Sequence, residues 1–217
     1  MEIVVDNKHI FYDQLGLGSK DIVMLHGWGQ NMEMMRPLAI KLLNDKNIKN
    51  NYRITILDLP GFGASSEPDM NTDVFTYTKL IENFLTALNI SKPIMLGHSF
   101  GGRLSIIYAS RNETERVILF GAPCIREYKP TFKEKVLKTL KKVPFTKDLV
   151  EIAKQYIGSA DYKNASPVMR TVLVNTINQD LSECAKKITA PTLLIWGTLD
   201  TAAPIELARK LEGLLKD

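Results

Sequence analysis

The feature that most constrains the fold is a serine framed by glycines at the junction of an apolar run and a helical pattern. Residues 94–96 are apolar, Gly97, Ser99 and Gly101 follow, and residues 104–109 carry apolar side chains at helical spacing. A chain that passes so abruptly from strand to helix needs residues without bulk beside the turn. The pattern predicts a strand, a sharp turn and a helix, with Ser99 at the apex in a strained conformation. The alternative is a serine-glycine turn that merely begins a helix.

Composition restricts the classes of protein that this chain can belong to. Its 217 residues are 45% hydrophobic, which suits one domain with a buried core. The net charge of +4, from 28 basic and 24 acidic residues, does not favour nucleic acid as a partner. No apolar run reaches membrane-spanning length, and residues 1–6 lack the pattern of a signal peptide. Two cysteines, Cys124 and Cys184, suit a reducing compartment, so we expect a cytoplasmic protein without a membrane partner.

Short apolar strands alternate with amphipathic helices along most of the chain. Besides the strand before Ser99, the apolar runs are 22–25, 54–57, 117–120 and 192–196, and residues 2–15 read as a hairpin. This alternation predicts an α/β fold with a mainly parallel, doubly wound sheet. His26, Asp58, Ser99 and Asp200 all follow the carboxyl ends of strands, where ligands bind in such sheets.

Residues 125–188 interrupt the alternation. They contain three helical patterns, at 132–143, 148–157 and 167–179, and no evident strand. We therefore expect a helical cap at 125–188 over a core formed by 1–124 and 189–217. The first pattern is rich in lysine, which fits either an acidic partner or membrane surface, or the solvated face of an ordinary helix, and the last reading is favoured.

The residues around Ser99 supply most parts of a nucleophilic catalyst. Ser99 is the candidate nucleophile, and a serine hydroxyl needs a neighbouring base to become reactive. The backbone N–H groups of Phe100 and Trp28 are the candidate oxyanion donors, and Gly27 lets the second loop approach closely. Asp200 is the candidate acid that orients the base. Asp200 is also suited to be a helix cap or turn residue.

Four motifs carry a resemblance to a known superfamily. They are His26-Gly27-Trp28-Gly29, Asp58-Leu59-Pro60-Gly61-Phe62-Gly63-x-Ser65, Gly97-His98-Ser99-Phe100-Gly101-Gly102 and Trp196-Gly197-x-x-Asp200. In this order they resemble the α/β-hydrolase superfamily, in particular its small members with a helical cap. The resemblance implies an eight-stranded sheet, a Ser-Asp-His triad and hydrolysis of an ester, thioester, amide, lactone or carbon–carbon bond of a small molecule. Methionine, phenylalanine and tyrosine residues in the expected cap favour a partly apolar substrate, with an apolar acyl group or ring.

The resemblance also assigns roles to the residues that flank the reacting groups. It implies that His26 and Gly27 shape the oxyanion loop, while Gly97, His98 and Gly101 support the turn at Ser99. Asp58 becomes a structural residue. No cofactor and no metal ion are expected, because no metal-binding pattern is visible.

The histidines depart from the superfamily pattern. The sequence has His9, His26 and His98, and none follows Asp200. The superfamily pattern expects a further strand, a loop that bears the histidine and a closing helix, which together take about 30 residues. We expect a truncated sequence rather than a natural pseudoenzyme, because the other elements are present. The last apolar strand would then be an exposed edge, which makes self-association possible.

The sequence leaves two alternatives to the interpretation as a serine hydrolase of low activity. The first is a non-catalytic small-molecule-binding protein on the same scaffold. The second is a nucleotide-binding protein, which is disfavoured because the glycine-rich phosphate-binding motifs are missing.

Overall fold

One mixed sheet forms the centre of the protein. A computed structural model describes residues 1–125 and 160–216. In these residues the strands are β1 (Glu2–Val5), β2 (Lys8–Leu15), β3 (Lys20–Leu25), β4 (Tyr52–Leu57), β5 (Ile94–His98), β6 (Arg116–Phe120) and β7 (Thr192–Ile195). They form a seven-stranded sheet in the order β1-β2-β4-β3-β5-β6-β7. The first two strands pair antiparallel, and β3 to β7 run parallel. The predicted fold class is confirmed.

The apolar runs become strands because helices cover both faces of the sheet. The last four residues of β3 and of β4 are fully buried, as expected of strands that are covered on both sides. The β1–β2 hairpin turns through Asp6 and Asn7, which both have positive φ. Aspartate and asparagine tolerate this conformation better than most residues, so the turn matches the sequence.

Helices connect the strands and supply the two layers that cover them. They are α1 (Arg36–Leu43), α2 (Lys46–Asn51), α3 (Val74–Ala87), α4 (Phe100–Ala109), α5 (Ala160–Asn164), α6 (Pro167–Ile177), α7 (Ser182–Ala185) and α8 (Ile205–Glu212), with a short 3-10 helix at Met32–Met34. Helix α3 begins where the Asp73 side chain accepts a hydrogen bond from the Thr76 N–H. Its buried residues recur at helical spacing against the core. The helix is therefore specified by both its cap and its apolar face.

Two apolar clusters lie on opposite faces of the sheet. The larger cluster joins α3 and α4 to the sheet, and the smaller one joins α1 to it. Strand β3 lies between β4, the next strand along the chain, and β5, so the connections turn in opposite directions on its two sides. Such a switch point opens a crevice at the carboxyl ends of the strands. The loop after β3 and the turn after β5 meet there.

The described part of the predicted cap is helical. Residues 160–185 contain α5, α6 and α7, and the Ser166 side chain accepts a hydrogen bond from the Met169 N–H, as is typical of a serine that precedes a helix. The expected helices at 132–143 and 148–157 lie outside the described residues, so the division into core and cap stays a prediction. None of the helices in the described ranges is long and apolar enough to cross a bilayer.

Strand β7 is an edge of the seven-stranded sheet, whereas the resemblance implies eight strands. Leu193 and Ile195 are 54% and 40% exposed there. An apolar edge with unpaired backbone groups can pair with another strand. Self-association through this edge remains a proposal.

Candidate active site

Ser99 occupies the turn between β5 and α4. Its backbone has φ 49° and ψ −110°, a combination that side-chain-bearing residues rarely adopt. Such a conformation persists only when the surroundings enforce it, and it is found most often at functional sites. The side chain is half-buried, and the residue directly precedes the first turn of α4. The predicted strained turn is confirmed.

Two glycines make this turn possible. A Cβ at Gly97 would lie 2.5 Å from the Gly101 carbonyl oxygen and 2.6 Å from the Gly102 Cα. A Cβ at Gly101 would lie 2.5 Å from the Leu25 carbonyl carbon at the end of β3. All of these atoms belong to the backbone and cannot rotate away. The turn therefore packs directly against itself and against the neighbouring strand.

His26 orients the loop that follows β3. Its Nε2 accepts a hydrogen bond from the Leu59 N–H at 3.0 Å, so in the neutral ring the proton is on Nδ1. Nδ1 donates that proton to the Gly27 carbonyl oxygen at 2.7 Å. In a trans peptide the N–H points opposite to the carbonyl, so fixing this carbonyl turns the Trp28 N–H away from His26. Burial lowers the pKa of His26, which keeps the ring neutral.

Two backbone donors beside Ser99 are unused. The Trp28 N–H has no acceptor among the described residues. The Phe100 N–H is in the first turn of α4, where a helix offers no acceptor of its own. The Trp28 and Phe100 rings are 5.2 Å apart, so the two loops are in contact. These are the two groups that the sequence predicts as oxyanion donors.

His98 packs beneath the same loop. A Cβ at Gly27 would lie 2.7 Å from the His98 Nδ1 and 3.5 Å from the Ser99 Cβ, so only glycine fits between them. Nδ1 is buried and has no hydrogen-bond partner in the described part of the chain. Burial lowers the pKa of His98, and the Asp200 carboxylate opposes that shift. The ring thus lies within electrostatic reach of Asp200.

Asp200 follows β7, so it lies at the carboxyl ends of the parallel strands, as Ser99 does. Its Oδ2 would be 3.1 Å from a Cβ at Gly121, the residue directly after β6. Its Oδ1 accepts hydrogen bonds from the Ala202 and Ala203 N–H groups. The turn interpretation of this aspartate is therefore realised, and Oδ2 accepts no hydrogen bond from a described residue. Its role as the acid that orients a base stays a prediction.

Asp58 holds two loops together, as the structural role predicts. Its Oδ1 accepts a hydrogen bond from the Met32 N–H and its Oδ2 accepts one from the Ala64 N–H. Gly63 has a positive φ and its Cα faces this carboxylate. The loops after β3 and β4 are thereby joined beside the site. No group of three or more potential ligand side chains in residues 1–125 and 160–216 could hold a metal ion.

Two features of the site were missed by sequence reasoning. One is a contact chain of aromatic rings that joins Trp28 to Phe62 and Phe100 and continues to Tyr77. The motifs supplied three of these residues, but only the folded loops bring the rings together. The other feature is Arg103, whose position as the one charged residue in α4 could have drawn attention.

Arg103 joins the predicted cap to the helix that follows Ser99. The residue is 5% exposed, and its guanidinium donates to the carbonyl oxygens of Pro123, Thr176 and Gln179 at 2.5, 2.8 and 2.6 Å. The last two carbonyls are at the carboxyl end of α6, where a cation is favoured by the helix dipole. Helix α6 is therefore fixed to the scaffold of the site.

A sequence profile of the alpha/beta hydrolase fold matches residues 21–150. The chain belongs to the α/β-hydrolase family. An uncharacterized hydrolase, YugF, of Bacillus subtilis is 27% identical over 96% of this chain and 84% of its own length. A pimeloyl-[acyl-carrier protein] methyl ester esterase of Wigglesworthia glossinidia brevipalpis is 27% identical over 92% of this chain and 82% of its own length.

Solved structures share the fold at lower identity. The enol-lactonase from Burkholderia xenovorans LB400 superimposes with a TM-score of 0.75 at 20% identity, covering 100% of this chain and 88% of the lactonase. The esterase EaEST from Exiguobacterium antarcticum gives a TM-score of 0.74 at 20% identity, covering 99% of this chain and 87% of the esterase. These likenesses confirm the α/β-hydrolase fold, and the named relatives support hydrolase chemistry.

Proposed function

We propose that this protein is a serine hydrolase that cleaves an ester-type bond of a small molecule through an acyl-enzyme. The observation that carries the proposal is the strained Ser99 beside two unused backbone donors, the Phe100 and Trp28 N–H groups. Family membership and relatives named as esterases support it. Thioesters, amides, lactones and carbon–carbon bonds remain alternative targets of the same machinery.

The proposed reaction uses these groups in sequence. The Ser99 Oγ attacks the substrate carbonyl carbon while a base accepts the hydroxyl proton. The carbonyl oxygen becomes an oxyanion, which the Phe100 and Trp28 N–H groups stabilise. The tetrahedral intermediate collapses, and the leaving alcohol departs with the proton from the base. Water then repeats these steps on the acyl-enzyme and releases the acid, which regenerates Ser99.

None of the described histidines is placed to act as the base in its observed position. His9 is on β2 and pairs with Glu2, and both ring nitrogens of His26 are engaged within the loops. His98 precedes Ser99, and its Nδ1 faces Gly27. We therefore expect the 217-residue chain alone to turn over slowly, at about the 10³–10⁴-fold acceleration over water that oxyanion donors and binding provide. Asp200 would orient a base if one is present.

External imidazole tests this proposal. Hydrolysis of a nitrophenyl ester is measured for the unmodified chain and for Ser99→Ala, each with and without added imidazole. We expect imidazole to accelerate the unmodified chain beyond the background that it gives with Ser99→Ala, because it replaces the base. Identical rates for the two proteins under both conditions would contradict the proposal and favour non-catalytic small-molecule binding. Fast Ser99-dependent turnover without imidazole would show that one of the chain's own histidines is the base.

A further inference from the structure

The aromatic contact chain has a buried half and an accessible half. Tyr77 and Phe100 are 0% and 4% exposed, whereas Trp28 and Phe62 are only half-buried. The Trp28 ring lies 4.9 Å from the Phe62 ring and 5.2 Å from the Phe100 ring, with interplanar angles of 84° and 74°. Perpendicular packing of this kind is the arrangement that aromatic rings prefer. The accessible rings therefore rest on a fixed aromatic base next to Ser99.

The loops that carry these rings are held by hydrogen bonds. His26 links the loop after β3 to the Leu59 N–H, and the Tyr77 hydroxyl donates to the Pro60 carbonyl oxygen. The Gly61 N–H donates to the Ser66 carbonyl oxygen at 2.9 Å, which closes the loop that carries Phe62. A surface fixed in this way loses little conformational freedom when it binds a ligand.

Helix α6 packs against the loop that carries Phe62. A Cβ at Gly61 would lie 2.7 Å from the Met169 Cε, so the thioether packs directly on the residue before Phe62. Met169 is 3% exposed, and Val168 packs against the same cluster. The buried thioether therefore supports the Phe62 loop from the side of α6 and helps to keep it in place.

The indole of Trp28 differs from the other indole in the chain. The Trp196 Nε1–H donates to the Ala203 carbonyl oxygen at 2.7 Å. The Trp28 Nε1–H has no acceptor in residues 1–125 and 160–216. A tryptophan that is buried for structure alone usually finds a partner for this group. The Trp28 ring is thus packed on its neighbours, while its polar edge has no partner among the described residues.

We propose that Trp28 and Phe62 form the acyl-binding wall of the site and select substrates whose acyl group contains an aromatic ring. The inference rests on the proposed function, because an acyl group is held there only if Ser99 is the nucleophile. The wall lies near Ser99 because the Trp28 ring contacts the ring of Phe100, the residue after Ser99. The acyl carbon would lie at Ser99 and the ring of the acyl group would pack against the two side chains. The substrate class is therefore an aroyl or arylacetyl ester, with the aromatic ring on the acid part.

Binding to an inactive chain tests this specificity without requiring turnover. Methyl phenylacetate and methyl cyclohexylacetate are titrated against Ser99→Ala, and dissociation constants are measured by ligand-observed NMR. The two esters match closely in size and apolar area, but only one has a π system. We expect the phenyl ester to bind about 2- to 10-fold more tightly, the range of an aromatic pair beyond its area.

Variants then locate the preference. Phe62→Leu and Trp28→Leu should each reduce the ratio of the two dissociation constants to near one, whereas Phe75→Leu should retain it. Phe75 is the matched control because it is also half-buried but lies on α3 beside Arg111. If Trp28→Leu does not fold, as judged by circular dichroism, Phe62→Leu decides the outcome.

The inference is overturned if neither ester binds, if both bind equally to Ser99→Ala, or if the preference survives in Phe62→Leu. An aromatic preference together with a negative imidazole test would contradict the proposed hydrolysis and support a site that binds aromatic ligands. Ser99-dependent hydrolysis without the preference would support the hydrolase and contradict the acyl-binding wall.

Discussion

Gly101→Ala tests the contact between the turn at Ser99 and the end of β3. The added methyl carbon would lie 2.5 Å from the Leu25 carbonyl carbon and 2.7 Å from the His26 carbonyl oxygen. Carbon atoms in ordinary contact are about 3.5 Å apart, so the end of β3 must retreat by about 1 Å. Overpacking a core costs about 1–3 kcal/mol, and we expect the upper value because the obstructing atoms are backbone.

Unfolding in urea, followed by circular dichroism, measures that cost. A loss of about 3 kcal/mol corresponds to a fall in Tm of about 6–12 °C for a chain of this size. The same 1 Å shift moves the loop that carries the Trp28 N–H, so Ser99-dependent ester turnover should fall by about 10²-fold. The matched control is Gly213→Ala, whose added carbon would meet its nearest neighbour at 3.6 Å. Gly213 has helical dihedral angles, so this change should stabilise the fold by about 0.4–1 kcal/mol. A Gly101→Ala chain as stable and active as the unmodified chain would refute this account of the turn.

Three further predictions concern the pH response, the α6 anchor and the sheet edge. Because burial lowers the pKa of His26 below its ordinary value of 6.5, its contribution to stability should be complete above about pH 6.5 and be lost as the pH falls towards the folded-state pKa. An NMR titration should give a midpoint below 6.5 for this imidazole, and a higher midpoint would contradict the neutral ring. Arg103→Met should lower the unfolding free energy by about 3 kcal/mol or more, since three carbonyls lose a charged donor. Lys186→Met, which breaks an exposed pair with Glu183, is the control and should change it by less than about 1 kcal/mol in urea. Leu193→Lys should reduce any self-association seen by sedimentation, and a chain that is monomeric at every concentration would remove the proposed edge contact.

The strands of the sheet are well predicted because each one is marked by a short apolar run in the sequence. Short runs such as 22–25 and 54–57, which are apolar apart from Thr55, are typical of strands in a parallel sheet that is covered on both sides, and the structure confirms those strands. Helix α2 was missed because its six residues have little apolar periodicity. It begins at Asp45, whose side chain accepts hydrogen bonds from Asn47 and Ile48 N–H groups. A short helix fixed by its cap leaves only a weak signal in hydrophobic spacing.

The site is predictable in part for the same reason. Gly97, Ser99 and Gly101 form one local turn, and their steric relation follows from their spacing alone. The wall of Trp28 and Phe62 instead depends on two loops separated by a strand and joined by Asp58. Contacts between distant loops leave no periodic pattern in the sequence, so the rings could be named but not placed.

The backbone of Ser99 has a consequence for engineering this protein. Its φ of 49° with ψ −110° is a conformation that glycine adopts freely and serine adopts at a cost of about 1–3 kcal/mol. Glycine at this position would therefore strengthen the fold and remove the hydroxyl of the proposed nucleophile in a single step. Selection for heat resistance or expression alone would enrich such glycine variants, which lack the proposed nucleophile. Ester hydrolysis therefore has to be assayed from the first round of any selection for stability.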